Sequence, residues 1–282
     1  MVFSTATHWM RGRRTWALAG SIALLSATTS CGVSGKLGAA ACPALSPEVS
    51  ALDASFSSNP QVNAKVRAFV QASKDMAWIS GQLEGEVASA CRRMGADLGI
   101  PPHQMQPSKG PGGAAAGACE PVAQTIDAIL RQGIRLWITV VPPECQANAS
   151  AMGRCNGVCN MQSDAECAAS CQAHANVHAS CRPAQVSVRV AQGQEMAGKL
   201  VATLQANLPS LINAQLSIGQ RLANDAKTVA QVGGNLPRIV GNASAQALAC
   251  IGAGADIAAQ ATVRLNVSVR ASATVTTRVQ GG

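Results

Sequence analysis

Aromatic side chains are scarce in this 282-residue chain: they make up 2% of it, and tyrosine does not occur. Charged residues are also few, at 13%. Hydrophobic residues reach 48%, but alanine supplies much of that share. Because the free energy of burial scales with apolar area, a core of Ala, Val and Leu gains little from each side chain. Elements must therefore approach closely, and covalent cross-links contribute more to stability.

The sequence also lacks the short motifs that mark common active sites. It contains no H-E-x-x-H, no G-x-S-x-G and no G-x-x-x-x-G-K-[ST]. Gly252-Ala-Gly254 lacks the third glycine of a dinucleotide fingerprint and follows no predicted strand. The net charge of +8 comes from scattered basic residues without neighbouring aromatics, so nucleic acid is not an expected partner. These absences favour a protein that is not an enzyme and needs no cofactor.

Six of the eleven cysteines are spaced as a mirror image. They are separated by 10, 4, 8, 4 and 10 residues, and each mirrored pair of numbers sums to 326. Folding the chain at Ser163 predicts the disulfides Cys145–Cys181, Cys155–Cys171 and Cys159–Cys167. We therefore predict an antiparallel hairpin over 134–190 that is laddered by three disulfides.

The flanks of the mirror agree with the same register. Leu136, Ile138 and Val140 would face Val190, Val188 and Val186, all apolar at even positions. Nearer the turn the apolar positions become odd on both arms, where Ala147, Ala149 and Ala151 would face Ala179, Val177 and Ala175. The switch falls at Pro142, Pro143 and Pro183, and proline marks a break or bulge in a ladder.

The tip over 152–173 has two interpretations. It could continue the strands, or it could be a helical hairpin, because Cys155 and Cys159 are i, i+4, as are Cys167 and Cys171. Ser163-Asp-Ala-Glu166 also fits a helix capping box. Metal ligation by these thiols is the less favoured alternative, since no C-x2-C pair is present, and we predict no metal site.

Residues 1–30 resemble a bacterial lipoprotein signal. Three arginines precede an apolar run of ten residues from Trp16 to Leu25, which is too short to span a bilayer. Ala27-Thr28-Thr29-Ser30 then leads into Cys31-Gly32, which resembles a lipobox with Thr28 in place of the usual Leu. We predict lipidation at Cys31, with plain secretion and an uncleaved anchor as the alternatives. Gly32 resembles the type sorted to the outer membrane, and residues 31–59 are predicted to be a tether.

The remaining cysteines are predicted to pair completely. Without Cys31, ten remain, which is an even number. Cys91 and Cys119 bracket a Pro/Gly/Ala loop at 101–118 and are predicted to be bonded. Cys42 is then the only partner left for Cys250.

Most of the rest of the predicted single domain, 60–282, is helical. Apolar and small residues recur at steps of four and three from Val62 to Met94, which predicts a long helix ending near Pro101. A weak 28-residue repeat places Pro209 and Pro237 in the first turns of two helices. The further helices are predicted at 119–132, 193–206, 209–232 and 237–260.

The C-terminal residues alternate strictly between apolar and polar from Val263 to Val275, which predicts a strand over 262–279. Paired with the hairpin, it would complete a three-stranded antiparallel sheet. The predicted fold class is therefore α+β, a mainly helical bundle with that sheet. His174 and His178 are predicted to be solvated residues on one strand face; the less favoured alternative is a metal-binding pair, which would need further ligands.

The chain resembles exported Cys- and Ala-rich lipoproteins of myxobacteria and their relatives. The resemblance depends on three segments, Cys31-Gly32, Cys145–Cys181 and Val263–Val279. The resemblance implies no activity. We expect a non-enzymatic cell-envelope scaffold that is attached to a membrane through its N-terminal lipid and contacts an envelope protein. The alternatives are a module that binds a lipid or other apolar ligand between its helices and, less favoured, a hydrolase with a dispersed site.

Overall fold

The fold is mainly helical, with two small antiparallel sheets. The computed structural model describes residues 42–159, 164–192, 194–216, 218–239 and 244–280. Among these residues, no helix combines the length and the apolar character needed to span a bilayer. The helices and strands in chain order are α1 Pro60–Asp97, α2 Gly113–Leu130, β1 Arg135–Val141, β2 Glu144–Gln146, α3 Ala149–Cys159, α4 Ala165–Val177, β3 Ser180–Arg182, β4 Gln185–Gln192, α5 Gln194–Leu216, α6 Ile218–Ile239 and α7 Ala245–Gln280.

Helix α1 is the long helix that the heptad-like stripe predicts. It begins after Asn59, whose side chain accepts hydrogen bonds from the Gln61 and Val62 amides, with Pro60 in the first turn. Its apolar stripe is buried against the other helices, with Phe69, Met76 and Met94 fully enclosed. The helix ends at Asp97, and Gly99 follows in the left-handed conformation (φ 78°).

The predicted strand over 262–279 is wrong, because these residues form the second half of α7. The three-stranded sheet is therefore wrong as well. The buried positions of α7 recur at steps of three and four, through Leu265, Ser268, Ser272, Val275 and Val279. Val263, an inward position of the predicted strand, is 49% exposed. The buried stripe includes small hydroxyl residues, and the apolar/polar alternation counted those as polar.

Hydrogen bonds explain why hydroxyl residues are tolerated in this helix. Ser272 Oγ donates to the Leu211 carbonyl at 2.7 Å, and Thr276 Oγ1 donates to Gln215 Oε1 at 2.7 Å, so two buried hydroxyls cross-link α7 to α5. Exposed threonines on α7 donate back to carbonyls four residues earlier. Helix propensity disfavours Val and Thr by only about 0.5 kcal/mol per residue, so packing decides the conformation.

The predicted helix boundaries near proline also differ from the structure. Helix α2 begins at Gly113 rather than Cys119, so Pro121 lies inside it. Pro209 lies inside α5 and Pro237 inside α6, so neither opens a helix. A proline removes one backbone hydrogen bond from a helix. Burial of large neighbours offsets that loss in α5, where Leu208 and Leu211 are at most 1% exposed.

The hairpin register is confirmed on its outer strands. In β1 and β4, Leu136 faces Val190 and Ile138 faces Val188, and in β2 and β3, Cys145 faces Cys181. The first pair of strands and the second pair form separate two-stranded sheets. Even-numbered residues of β1 turn toward the bundle and odd-numbered ones toward solvent, as the alternation predicts.

The N-terminal part of the described chain packs on the bundle. Cys42, Ala51 and Phe56 are buried against it. The Ala51 amide donates to Gln71 of α1, and Ser244 donates to the Phe56 carbonyl. The predicted tether, 31–59, is therefore too long at its C-terminal end. The predicted signal at residues 1–30 and the lipidation site at Cys31 lie outside the described residues.

Candidate functional site: a disulfide-braced arm and an adjoining polar pocket

The three mirrored pairs are disulfide-bonded, and they define what we call the arm, the described residues from Glu144 to Arg182. Cys145–Cys181 joins β2 to β3 at the base of the arm. Cys155–Cys171 and Cys159–Cys167 join α3 to α4 and close loops of 16 and 8 residues. Each bond lies inside the loop closed by the previous one, so the sequence mirror corresponds to a nested set of cross-links.

The tip of the arm is helical. Residues 149–151 and 174–177, predicted to be strand, belong to α3 and α4, so the strand interpretation is wrong there. In each helix the two cysteines, four residues apart, lie on one face, and both pairs meet between the helices. Asp164, rather than Ser163, caps α4, because its side chain accepts the Cys167 amide at 3.1 Å. Ser163 lies outside the described residues.

Sulfur atoms form the core between the arm and α1. Cys155, Cys159, Cys167 and Cys171 are buried in a cluster of their own with two alanines of α1, Ala64 and Ala68. Alanine leaves room for the sulfurs to approach the helix backbone. The disulfides therefore both close the hairpin and provide the apolar surface by which it packs.

An ion pair holds the start of α4 against α1. Lys65 Nζ lies 2.8 Å from Asp164 Oδ2 and 3.7 Å from Glu166 Oε2. Partial burial raises the pKa of Asp164, but the hydrogen bond and charge of Lys65, with the Cys167 amide, outweigh it, so the pKa lies below its ordinary value. The charged carboxylate therefore favours the folded state.

The other two disulfides lie within the helical bundle. Cys91–Cys119 joins α1 to α2, and Cys42–Cys250 joins the N-terminal segment to α7. All four of these cysteines are at most 1% exposed. The ten cysteines after Cys31 thus form five disulfides, in the pairs that the sequence predicts. Cys155, Cys159 and Cys171 have sulfurs close enough for a shared ion, but their bonds leave no thiolate to bind one.

His174 and His178 do not lie on a solvent-facing strand, so that prediction is wrong. They are four residues apart at the C-terminal end of α4, on one side of the helix, and their ring centroids are 4.9 Å apart. His174 is only 5% exposed, whereas the His178 side chain is 44% exposed. The two imidazoles thus connect the interior of the protein to its surface.

Asp75 of α1 lies against both histidines. Its Oδ2 contacts His174 Nδ1 and lies 3.9 Å from His178 Nε2. Its Oδ1 accepts from Gln71 Nε2 at 2.9 Å, and Gln71 Oε1 accepts the Ala51 amide at 2.9 Å. The carboxylate is therefore fixed in orientation by a hydrogen-bonded chain that begins at the backbone.

The two histidines line an open cavity of about 600 Å³ between α1, the arm and the N-terminal segment. Glu48 and Asp53 contribute acidic groups to its wall, and Lys74 and Arg154 contribute basic ones. Burial lowers the pKa of Lys74, although the charge of Asp75 partly opposes the shift. Lys74 donates a hydrogen bond to the carbonyl of Val49, which also lines the cavity.

Among the residues that the structure describes, the most exposed large apolar side chain lies on the outer face of the β1–β4 sheet. Trp137 is 71% exposed and faces Arg189 on β4, and Val141 on the same face is 53% exposed. Tryptophan and arginine are the residue types most enriched at the energetic centres of protein interfaces.

No family model, curated protein or solved structure matches this chain.

The association of Asp75 with the two histidines was not predicted from the sequence. Asp75 is 99 residues from His174, and no local pattern joins them. One signal was available: if the tip is helical, His174 and His178 share a face, since they are i, i+4. The apolar stripe of α1, which the alternative hypothesis assigns to a ligand, is occupied by the other helices of the bundle.

Proposed function

We propose that this chain is a non-enzymatic, exported cell-envelope lipoprotein that is anchored by lipid on Cys31 and acts as a disulfide-stabilised interaction scaffold. The observation that carries the proposal is the complete pairing of ten cysteines in five disulfides. Such bonds persist in oxidising compartments and are rare where glutathione keeps thiols reduced. The five disulfides indicate an oxidising compartment, and the lipobox-like Cys31 extends this to the outer membrane.

The arm supports the scaffold role. Its helices are cross-linked twice and attached to α1 by buried sulfurs and an ion pair, so it is a braced element packed on the bundle rather than a free loop. Rigid surfaces bind at a lower entropic cost than mobile ones. The adjoining β1–β4 sheet presents Trp137 and Arg189 on its solvent face. We assign the contact with an envelope protein to this face.

An intact mass of the membrane-extracted protein tests export and lipidation together. The expected mass is that of a chain beginning at Cys31, with added acyl groups and ten fewer hydrogens for the five disulfides. A Cys31→Ser variant should lose the acyl mass while it retains all five bonds. A chain that keeps residues 1–30, or that carries free thiols at Cys155 and Cys159, contradicts the proposal.

Site-specific photo-cross-linking in intact cells tests the interaction face. A photoreactive amino acid at Trp137 should give a discrete adduct with one envelope protein. The matched control places it at Val263 of α7, which is also apolar and exposed (49%). Absence of an adduct at Trp137, or the same adducts at both positions, contradicts the assignment.

A further inference from the structure

We propose that Asp75, His174 and His178 form a binding site for a divalent transition-metal ion of the Zn²⁺ type. Imidazole nitrogen and carboxylate oxygen are typical zinc ligands, and two histidines with one carboxylate make a three-ligand site with an open fourth position. One ligand atom from each of these residues lies within 4.8 Å of the other two.

The distances suit an ion after small side-chain movements. Ligand atoms about 2.0–2.2 Å from a tetrahedral zinc lie roughly 3.3–3.5 Å from one another. His178 Nε2 is 3.9 Å from Asp75 Oδ2 and its side chain is partly exposed, so a rotation about its side-chain bonds can close the gap. His174 Nδ1, now in contact with the same oxygen, needs to move slightly apart from it.

The surroundings of the three residues have the features of an outer shell. Metal-binding carboxylates are commonly oriented by a further hydrogen bond, and Gln71 Nε2 supplies one to Asp75 Oδ1 at 2.9 Å. His174 follows Cys171 by one helical turn, so the disulfide to Cys155 fixes the helix that carries both imidazoles. The helix that carries the histidines is therefore fixed by a covalent bond, and the carboxylate is oriented by a backbone-anchored glutamine.

The local charge favours a cation over an anion. The cavity wall contains two acidic residues, Glu48 and Asp53, and two basic residues, Lys74 and Arg154, so their formal charges sum to zero. Asp75 adds one further negative charge. Both histidines lie at the C-terminal end of α4, where the helix dipole is negative. An anion at the same position would face the Asp75 carboxylate directly.

The open fourth position faces the cavity, because His174 and His178 line its wall. A bound ion would therefore be accessible to water or to a small ligand with an oxygen or nitrogen donor. In a structural zinc site four protein ligands surround the ion, whereas here the described residues within reach supply three.

Binding is tested with Co²⁺ and Zn²⁺ on the full exported chain, with its five disulfides verified by mass. We expect one Co²⁺ per chain with visible absorption typical of a tetrahedral ion, and its stoichiometric displacement by Zn²⁺. His178→Ala should weaken binding at least tenfold, and Gln71→Met about tenfold through the lost outer-shell bond. His103→Ala is the matched control, because His103 is exposed and belongs neither to the cavity wall nor to the ligand group, and the affinity of this variant should equal that of the parent.

Folding of the variants is checked by far-ultraviolet circular dichroism and by the disulfide count. His178 is partly exposed, so its replacement should change neither. Absence of binding in the parent overturns the proposal and leaves Asp75–His174 as a buried structural pair. Equal affinities of the parent and a folded His178→Ala variant also overturn it.

Discussion

The bond between Cys42 and Cys250 should stabilise the fold far more than the bond between Cys159 and Cys167. The first joins residues 208 apart in sequence and the second joins residues 8 apart. The entropy that a cross-link removes from the unfolded chain grows with the logarithm of loop length. Removing the long bond should therefore cost about 5 kcal/mol of the free energy of unfolding, and removing the short one about 2.5 kcal/mol.

The comparison is well matched within the chain. All four cysteines are at most 6% exposed, so replacing either pair by alanine removes a similar amount of buried surface. The difference between the two double variants, about 3 kcal/mol, then isolates loop closure. Other disulfides lie inside the long loop and shorten it, but halving a loop changes its closure free energy by only about 0.6 kcal/mol.

Equilibrium unfolding in guanidinium chloride measures both differences. The variants are Cys42→Ala/Cys250→Ala and Cys159→Ala/Cys167→Ala, each with its other four bonds verified by peptide mapping without reduction. Equal losses of stability, or a larger loss for the short loop, would refute the loop-closure reasoning. The stabilisation would then come from sulfur packing, which is most concentrated in the arm.

Four further substitutions test the packing and the charges of the fold. Gly254→Ala should lower the free energy of unfolding by about 1–2 kcal/mol, because a Cβ there would lie 2.8 Å from Phe69 Cε1. Gly252 has open space around its Cβ position, so Gly252→Ala should raise the free energy of unfolding by up to about 1 kcal/mol. The same guanidinium assay measures both changes. The pKa of Asp164 is lowered, so its stabilisation is present above the ordinary pKa of a carboxyl and is lost as the pH falls through the folded-state value. Asp164→Asn should therefore be less stable than the parent at neutral pH and converge with it in acid. Burial raises the pKa of Asp225 in α6, so the parent loses stability as the pH rises through the folded-state value. The free energy of unfolding of Asp225→Asn should therefore increase relative to that of the parent toward neutral pH. Urea unfolding across this pH range measures both trends, and parallel curves for variant and parent would contradict the corresponding argument.

The features that the sequence predicts correctly are those with two independent constraints. The spacing of the cysteines and the apolar parity of Leu136–Val140 with Val186–Val190 require the same register, and both are confirmed. Helix α1 has a cap, a stripe and a Gly/Pro terminus that agree with one another. Where several signals point to one conformation, tertiary packing has no reason to override them.

The C-terminal half of α7 shows how a single signal fails. Small residues such as Ser272 fit both a close helix–helix interface and the alternating pattern of a strand. The Ser272 hydroxyl donates its hydrogen bond to Leu211 of α5, 61 residues away in the sequence. Propensity for the strand is overcome by contacts that the local sequence does not contain. The same limit applies to Asp75, whose position beside His174 depends on how α4 packs on α1.

The disulfides at Cys42–Cys250 and Cys145–Cys181 make a covalent ring of the chain segments between them. A mechanical load applied between the N-terminal segment and the arm is shared by two strands of polypeptide in parallel, 42–145 and 181–250. Extension stops when the shorter path is taut, even if every helix along it has unravelled. Tension between these two ends of the bundle is thus carried by covalent bonds along both segments.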